Sequence, residues 1–178
     1  MDEKVMFMKE ALKEASKSYK KEEIPVGAVI VKDREIIARA HNLKETKHDP
    51  TNHAEIIAIK KACKNLGTWR LTGCTMYVTL EPCSMCTGAL ILSRINRIVI
   101  GTMDEKTGAC GSVLNLDKDY KFNHSFEIET GVLETECKEL IQKFFKELRN
   151  KKKQNLWYWI YSSIMDFYFI SFNKFDFK

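Results

Sequence analysis

Two short segments, His53-Ala54-Glu55 and Pro82-Cys83-Ser84-Met85-Cys86, constrain this chain more than any other feature. Each stands just before a stretch of helical periodicity, so each offers its polar side chains at a helix start. One imidazole and two thiolates form a donor set suited to Zn²⁺. Three protein ligands rather than four leave a position open for water, as in catalytic zinc sites. The amide dipoles of two helix N-termini aimed at one centre would favour thiolate over thiol at Cys83 and Cys86. The chain must therefore fold so that two helix starts share a centre.

The His-x-Glu spacing adds a second constraint. Residues two apart on a regular helix face nearly opposite sides, so His53 and Glu55 reach one centre only at an irregular helix start, with the metal beyond the helix end. Two thiolates already neutralise a dication, which leaves Glu55 free to act as a base on bound water. Coordination lowers the pKa of such a water from about 15.7 toward roughly 7, so a hydroxide nucleophile becomes available at neutral pH. Singly, each piece has a plainer reading. Asn52 with Glu55 fits a helix capping box, Cys-x-x-Cys can be a thiol redox couple, and a lone His is more often structural. Together they read as a metal-dependent hydrolase, with Cys63, Cys74, Cys110 and Cys137 left to core packing.

The 178 residues are near the size of one domain. Val5, Met8, Ala11, Leu12, Ala15 and Tyr19 recur at helical spacing and predict an amphipathic helix over 3–20. Pro25 to Val31 and Glu35 to Ala38 predict a hairpin across the turn Lys32-Asp33-Arg34. A polar stretch from His41 to Asn52 leads to a second helix that ends near Asn65 and Gly67. Cys74 to Leu80 reads as a buried strand, Pro82 as the opening of a third helix to about Ser93, and Ile98 to Ile100 as another strand. Residues 101–125 read as a long surface loop, and a helix from about Glu134 to Arg149 follows. The order α-β-β-α-β-α-β-α predicts one mixed sheet covered by helices.

Past Arg149 the composition changes. Leu156 to Lys178 carries ten aromatic residues behind the basic run Lys151-Lys152-Lys153. The stretch is short for a membrane span and contains Asp166, so spanning is disfavoured. An interfacial or self-association segment is one reading. The leading one is an extension past the normal end of such a domain, disordered or loosely packed. The chain is thus divided into a catalytic domain at 1–155 and an atypical tail at 156–178. No apolar run of signal-peptide length follows Met1-Asp2-Glu3-Lys4, so the chain is read as cytoplasmic. The net charge of +5 permits a polyanionic partner without demonstrating one.

These residues resemble the zinc nucleobase deaminases, whose signature is a His-x-Glu segment followed by Pro-Cys-x-x-Cys. Within them, His48 to Glu55, Tyr77 to Cys83 and Gly101 to Ala109 are similar to the bacterial tRNA-specific adenosine deaminases, over about residues 3–150. Asn123-His124 and the helix with Phe144-Phe145 resemble that family too, whereas the aromatic tail does not. Asn52 stands where family members usually carry a small residue. The resemblance implies a three-layer cytidine-deaminase-like α/β fold, with a mixed sheet of about five strands between helices on both faces. It implies one zinc ion per subunit on His53, Cys83 and Cys86, with Glu55 shuttling protons. The implied reaction is hydrolytic attack on C6 of adenosine, giving inosine at the wobble position of a tRNA anticodon stem-loop and releasing ammonia.

The same resemblance implies that Asn42 holds the purine, that Asp104 and Lys106 contact flipped-out anticodon nucleotides, and that Phe145 lies near the bound loop. It also implies a homodimer. Asn42 as a plain turn residue and Phe145 as a core residue are the alternatives. Lys17, Lys20, Lys21, Arg94, Arg97, Lys146 and Lys151 to Lys153 are candidates for a phosphate path, although helical lysines commonly only solvate a face. Two rival functions share the zinc residues. One is a deaminase of free bases or nucleotides of the guanine or cytosine type, which needs no basic surface. The other is a zinc-stabilised binding module in which Glu55 is only a cap.

Overall fold

The structure is a computed structural model. It describes residues 2–119 and 121–172, with side chains described up to Gln154. Two compact units divide the chain, Met1–Ile141 and Gln142–Lys178. The described elements run α1 (Glu3–Lys20), β1 (Gly27–Lys32), β2 (Glu35–His41), α2 (Lys44–Lys47), α3 (Ala54–Leu66), β3 (Thr75–Leu80), α4 (Ser84–Leu92), β4 (Arg97–Thr102), α5 (Leu116–Asp119), β5 (Glu127–Thr130) and α6 (Glu134–Phe172). The strands form one five-stranded sheet in the order β2-β1-β3-β4-β5. β1 pairs antiparallel with β2 and β3, while β3, β4 and β5 run parallel.

Alternation along the central strands builds the layers. Val29, Val31, Tyr77 and Val99 face α1 and the first turn of α6, where Phe7, Met8, Ala11 and Cys137 complete one buried cluster. Their neighbours Ala28, Ile30, Met76, Val78, Ile98 and Ile100 face the opposite way, against Ala54, Ala58 and Ala62 of α3 and Leu90 and Ile91 of α4. Full burial of each large aliphatic side chain contributes about 1.5–3 kcal/mol, so a sheet covered on both faces is the stable arrangement. The result is the three-layer mixed-sheet architecture expected. Gly27 sets the spacing of the first layer, since a Cβ there would overlap the Ala11 carbonyl oxygen and the Ala15 amide nitrogen of α1.

Several local readings change. The buried centre of α3 is its alanines at every fourth position, with the isoleucines flanking, because small residues let this helix lie close on the sheet. α4 begins at Ser84 with Cys83 as its N-cap, so Pro82 lies outside the helix instead of opening it. The loop 101–125 contains α5, and Ala109 and Cys110 within it are buried. β5 was not legible in advance, since four residues are too few to display alternation. α6 continues past Arg149 because no Gly or Pro interrupts Glu134–Phe172. The tail backbone is helical to Phe172, and the expectation about its aromatic side chains lies outside the described residues. No helix among the described residues is long and apolar enough to cross a membrane.

The topology gathers one rim of the sheet. β3 and β4 end there, and antiparallel β1 begins there. β2 also ends there, since Gly27 pairs with His41. Val26, Asn42, Glu81 and Asp104 all sit in the segments leaving that rim, where ligands of open α/β sheets are bound.

Candidate active site

His53 is the N-cap of α3 and Cys83 the N-cap of α4, both in extended backbone conformations that turn their side chains away from the helix body. His53 Nδ1 lies 3.7 Å from Cys83 Sγ and 3.6 Å from Cys86 Sγ. Zinc bonds of about 2.0–2.1 Å to nitrogen and about 2.3 Å to sulfur at a tetrahedral angle separate the two donors by roughly 3.6 Å. The donor set therefore fits a zinc ion in chemistry and in spacing, and it is the one such group of three among the described residues.

The charges of the cluster are coupled. Hydrogen bonding to Cys86, then to His53, pulls the Cys83 thiol down to about 4 against the opposing effect of burial. Cys86 moves the other way, pushed up first by its hydrogen bond with Cys83 and then by burial. The helix dipole was expected to favour thiolate at both. Without a cation, however, one negative charge is what this buried pair carries, and coordination is what deprotonates a second thiol. His53 is raised above its ordinary value, first by hydrogen bonding to Cys83.

Glu55 occupies the second helical position of α3, 4% exposed, and burial pushes its carboxyl above the ordinary carboxylate range. The capping-box alternative fails on geometry. That motif needs Glu55 to accept the Asn52 N–H, which instead donates to the Asp49 carbonyl at 3.1 Å, and the N-cap is His53. A buried carboxyl of raised affinity for protons beside a metal cluster has the properties of a general acid and base.

Glu55, His53 and Cys83 line a cavity of about 190 Å³ with Asn42, Glu81, Asp104 and Thr107, against an apolar wall of Ile24, Val26 and Leu80. Its volume is below the roughly 300–1,000 Å³ of drug-sized pockets and suits one planar base. A larger hollow of about 430 Å³ lies between β2 and α3, but it is open and lined by Arg39, Lys61 and Lys64 without catalytic groups. Of the residues singled out for substrate, Asn42 and Asp104 reach the cavity. Lys106 is exposed on the same turn, its amide donating to Asp104 Oδ1 at 2.9 Å. Phe145 belongs to the second unit, exposed, with its ring edge-on to Phe144 at 5.5 Å. Among the basic candidates, Lys17 pairs with Glu14 and Arg97 with Glu129, while Arg94 donates to the Asn123 carbonyl.

Two acidic residues escaped sequence reasoning. Glu23 is fully buried and accepts from Asn42 Nδ2 at 3.1 Å and from the Thr46 amide at 2.6 Å. Glu81, 3% exposed, accepts from the amides of Asp104, Cys110 and Ser112. Neither sits in a periodic pattern, and the one available signal was an acidic residue beside an apolar strand.

A three-layer mixed sheet with a His, Cys, Cys cluster at two helix starts and a buried glutamate beside it defines a class, the zinc-binding deaminases. Residues 1–102 match the cytidine and deoxycytidylate deaminase zinc-binding region. The chain belongs to that family, and within it groups with the bacterial tRNA-specific adenosine deaminases. It is 54% identical to the tRNA-specific adenosine deaminase of Bacillus subtilis over 153 residues, covering 86% of this chain and 95% of the relative. With that of Aquifex aeolicus it shares 50% over 147 residues, covering 83% and 97%. A solved structure from work on A-to-I editing by tRNA:A34 deaminases at the wobble position superposes with a TM-score of 0.74 at 41% identity, covering 76% of this chain and 98% of that one. A guanine deaminase from Bacillus subtilis superposes less completely, with a TM-score of 0.53 at 43% identity, over 55% and 63%.

Proposed function

We propose that this chain hydrolyses adenosine to inosine at the wobble position of a tRNA anticodon, acting as a zinc-dependent homodimer. The observation that carries the reading is the cavity itself: a metal cluster, the buried Glu55 beside it and room for a single base, opening beside the loop that holds Asp104. The similarity to tRNA-specific adenosine deaminases over most of both chains supports the choice of substrate. Cytoplasmic residence follows from that substrate. We assign catalysis to 1–155 and leave 156–178 outside it.

His53, Cys83 and Cys86 would hold the zinc ion, which when bound supplies a Lewis acid that makes water nucleophilic at neutral pH. Glu55 takes a proton from the attacking water and delivers it to the ring nitrogen beside C6, then takes the remaining proton of the new C6 hydroxyl and passes it to the departing amine, so that adenosine and water become inosine and ammonia. Its raised affinity for protons matches a group that must both accept and release one. Asn42 holds the base, and the apolar wall excludes bulk water around it. Asp104, Lys106 and Phe145 are the residues we assign to the flanking RNA. Anticodon bases are already unpaired, so extruding one costs only a few kcal/mol.

The homodimer is supported by α4, which leaves Met85 and Leu92 exposed on one helical face with open space over Gly88 between them. The test is to incubate the zinc-loaded protein with a tRNA carrying a wobble adenosine and sequence for inosine, beside Glu55→Ala and Glu55→Gln. Conversion by the parent, with a loss of about 10²–10⁴-fold in the variants at unchanged zinc content, is expected. Conversion of free guanine or cytosine compounds in place of tRNA would overturn the reading, as would full activity without Glu55.

A further inference from the structure

Every side-chain hydrogen bond of Glu81 reaches into one loop. The residue follows the last position of β3 and precedes Pro82 and the metal ligand Cys83. Its Oε2 accepts from the Asp104 amide at 2.9 Å and from the Ser112 hydroxyl. Its Oε1 accepts from the Cys110 amide at 2.9 Å and the Ser112 amide at 3.0 Å. One buried carboxylate thus ties the entry of the loop 104–112 to its exit. Other amides of the loop are served from elsewhere: Lys106 by Asp104 Oδ1, Gly108 by the Asp104 carbonyl, Ala109 by the Pro82 carbonyl. Gly108 has no room for a side chain, because a Cβ there would overlap Glu81 Oε2.

The loop is also indexed to the metal cluster, since Gly108 forms an isolated bridge with Cys83. Asp104 and Thr107, carried by this loop, line the cavity with His53 and Glu55. A surface loop with this many backbone groups to satisfy would ordinarily sample several conformations in water. A buried anion that accepts three of its amides leaves one.

We propose that Glu81 is a positioning residue, which fixes the loop 104–112 against the metal site and thereby sets the affinity for the nucleotides that flank the target base. The substrate class in this statement rests on the tRNA reading, whereas the anchoring of the loop does not. Glu81→Gln is the sharp perturbation. Whichever oxygen becomes an amide nitrogen, it meets a backbone N–H that cannot invert, so the carboxylate shape is kept while at least one bond is replaced by a donor facing a donor.

The experiment uses the full-length, zinc-loaded chain and its Glu81→Gln and Ser112→Ala variants. Three quantities are read: amide hydrogen exchange across 104–112, and KM and kcat on an anticodon stem-loop RNA with a wobble adenosine. In Glu81→Gln, exchange at 104, 110 and 112 should rise at least tenfold with the central strands unchanged. KM should rise tenfold or more while kcat moves less than threefold and zinc stays at the parent's level. Ser112 is exposed and donates only one side-chain bond to Glu81, so Ser112→Ala should show the same pattern at two- to fivefold. It decides the matter if Glu81→Gln does not fold. Unchanged loop exchange, exchange raised equally through the core, or a fall in kcat at constant KM would overturn the proposal. Loop exchange that rises selectively in a protein whose parent does not convert the RNA would leave the anchoring standing and overturn the substrate reading instead.

Discussion

Glu23→Gln should reverse the hydrogen-bond polarity of the base pocket without dismantling it. Glu23 Oε1 accepts the Thr46 amide and Oε2 accepts Asn42 Nδ2. A carboxylate only accepts, so Asn42 must turn its NH₂ toward Glu23, which leaves its Oδ1 as the atom offered to the cavity. In the glutamine variant the Thr46 N–H cannot invert, so the glutamine carbonyl stays there and its NH₂ faces Asn42. Asn42 then flips and presents a donor where it presented an acceptor. Two charge-assisted bonds worth about 1.5–3 kcal/mol each become neutral ones of about 0.5–1.5, offset by relief of burying a charge, so stability should fall by only about 1 kcal/mol. A base matched to an acceptor meets a donor, which at roughly 2.7 kcal/mol corresponds to about a 10²-fold loss in kcat/KM. Urea unfolding and single-turnover deamination of the wobble-adenosine stem-loop measure the two quantities separately. A variant that deaminates within threefold of the parent would refute the reasoning about Asn42. A stability loss above about 3 kcal/mol would show that Glu23 is chiefly a core element.

Gly27→Ala forces α1 off β1, an overpacking that should cost about 3 kcal/mol in urea unfolding, and a loss below 1 kcal/mol would mean that the helix shifts freely. Acid should destabilise the fold. Burial alone would raise Glu14 and Glu23, yet Lys17 and His41 outweigh it at the first, and the Thr46 amide with Asn42 does so at the second. Lys4 and then Arg97 hold Glu129 down directly. All three lie below the reference value of 4.5 in the folded chain, so the unfolded chain binds more protons below that pH. Their contribution is present above about pH 4.5 and is lost as pH falls through the depressed values, and thermal melts at falling pH that stay flat would contradict it. Removal of zinc by a chelator should lower the melting temperature and abolish deamination, with both restored by Zn²⁺, because the three donors join the starts of α3 and α4.

What was legible in the sequence was local. His53, Glu55, Cys83 and Cys86 stand out because ligand residues interrupt helical periodicity at two helix starts, and both the interruption and the periodicity are contained within a few residues. The same holds for α1, the hairpin and β3, each with an uninterrupted pattern. Asn42 and Asp104 came from resemblance and not from any pattern of their own, and their sites lie in segments with no periodicity to read. β5 has four residues and α6 no stop signal, so neither its existence nor the other's end could be read from spacing.

Glu23 and Glu81 were illegible for a different reason, and it bears on how the site works. Their bonds reach 19 to 31 residues along the chain, and every acceptor atom is spent on a group that another segment supplies. Each anchors one cavity wall, Glu23 the Asn42 segment and Glu81 the Asp104 loop, while Glu55, the residue proposed as catalytic, stays buried in the same cavity. The two anchors are acceptor-only groups with a donor on each oxygen, so an amide in either place sets a donor against a donor or turns a neighbour around, although both would pass as conservative surface substitutions on sequence grounds. On the proposed reading, the chemistry of this fold is set by three buried carboxyl groups, one that moves protons and two that fix where the substrate stands. The latter pair is where a change of substrate could be made without touching the metal.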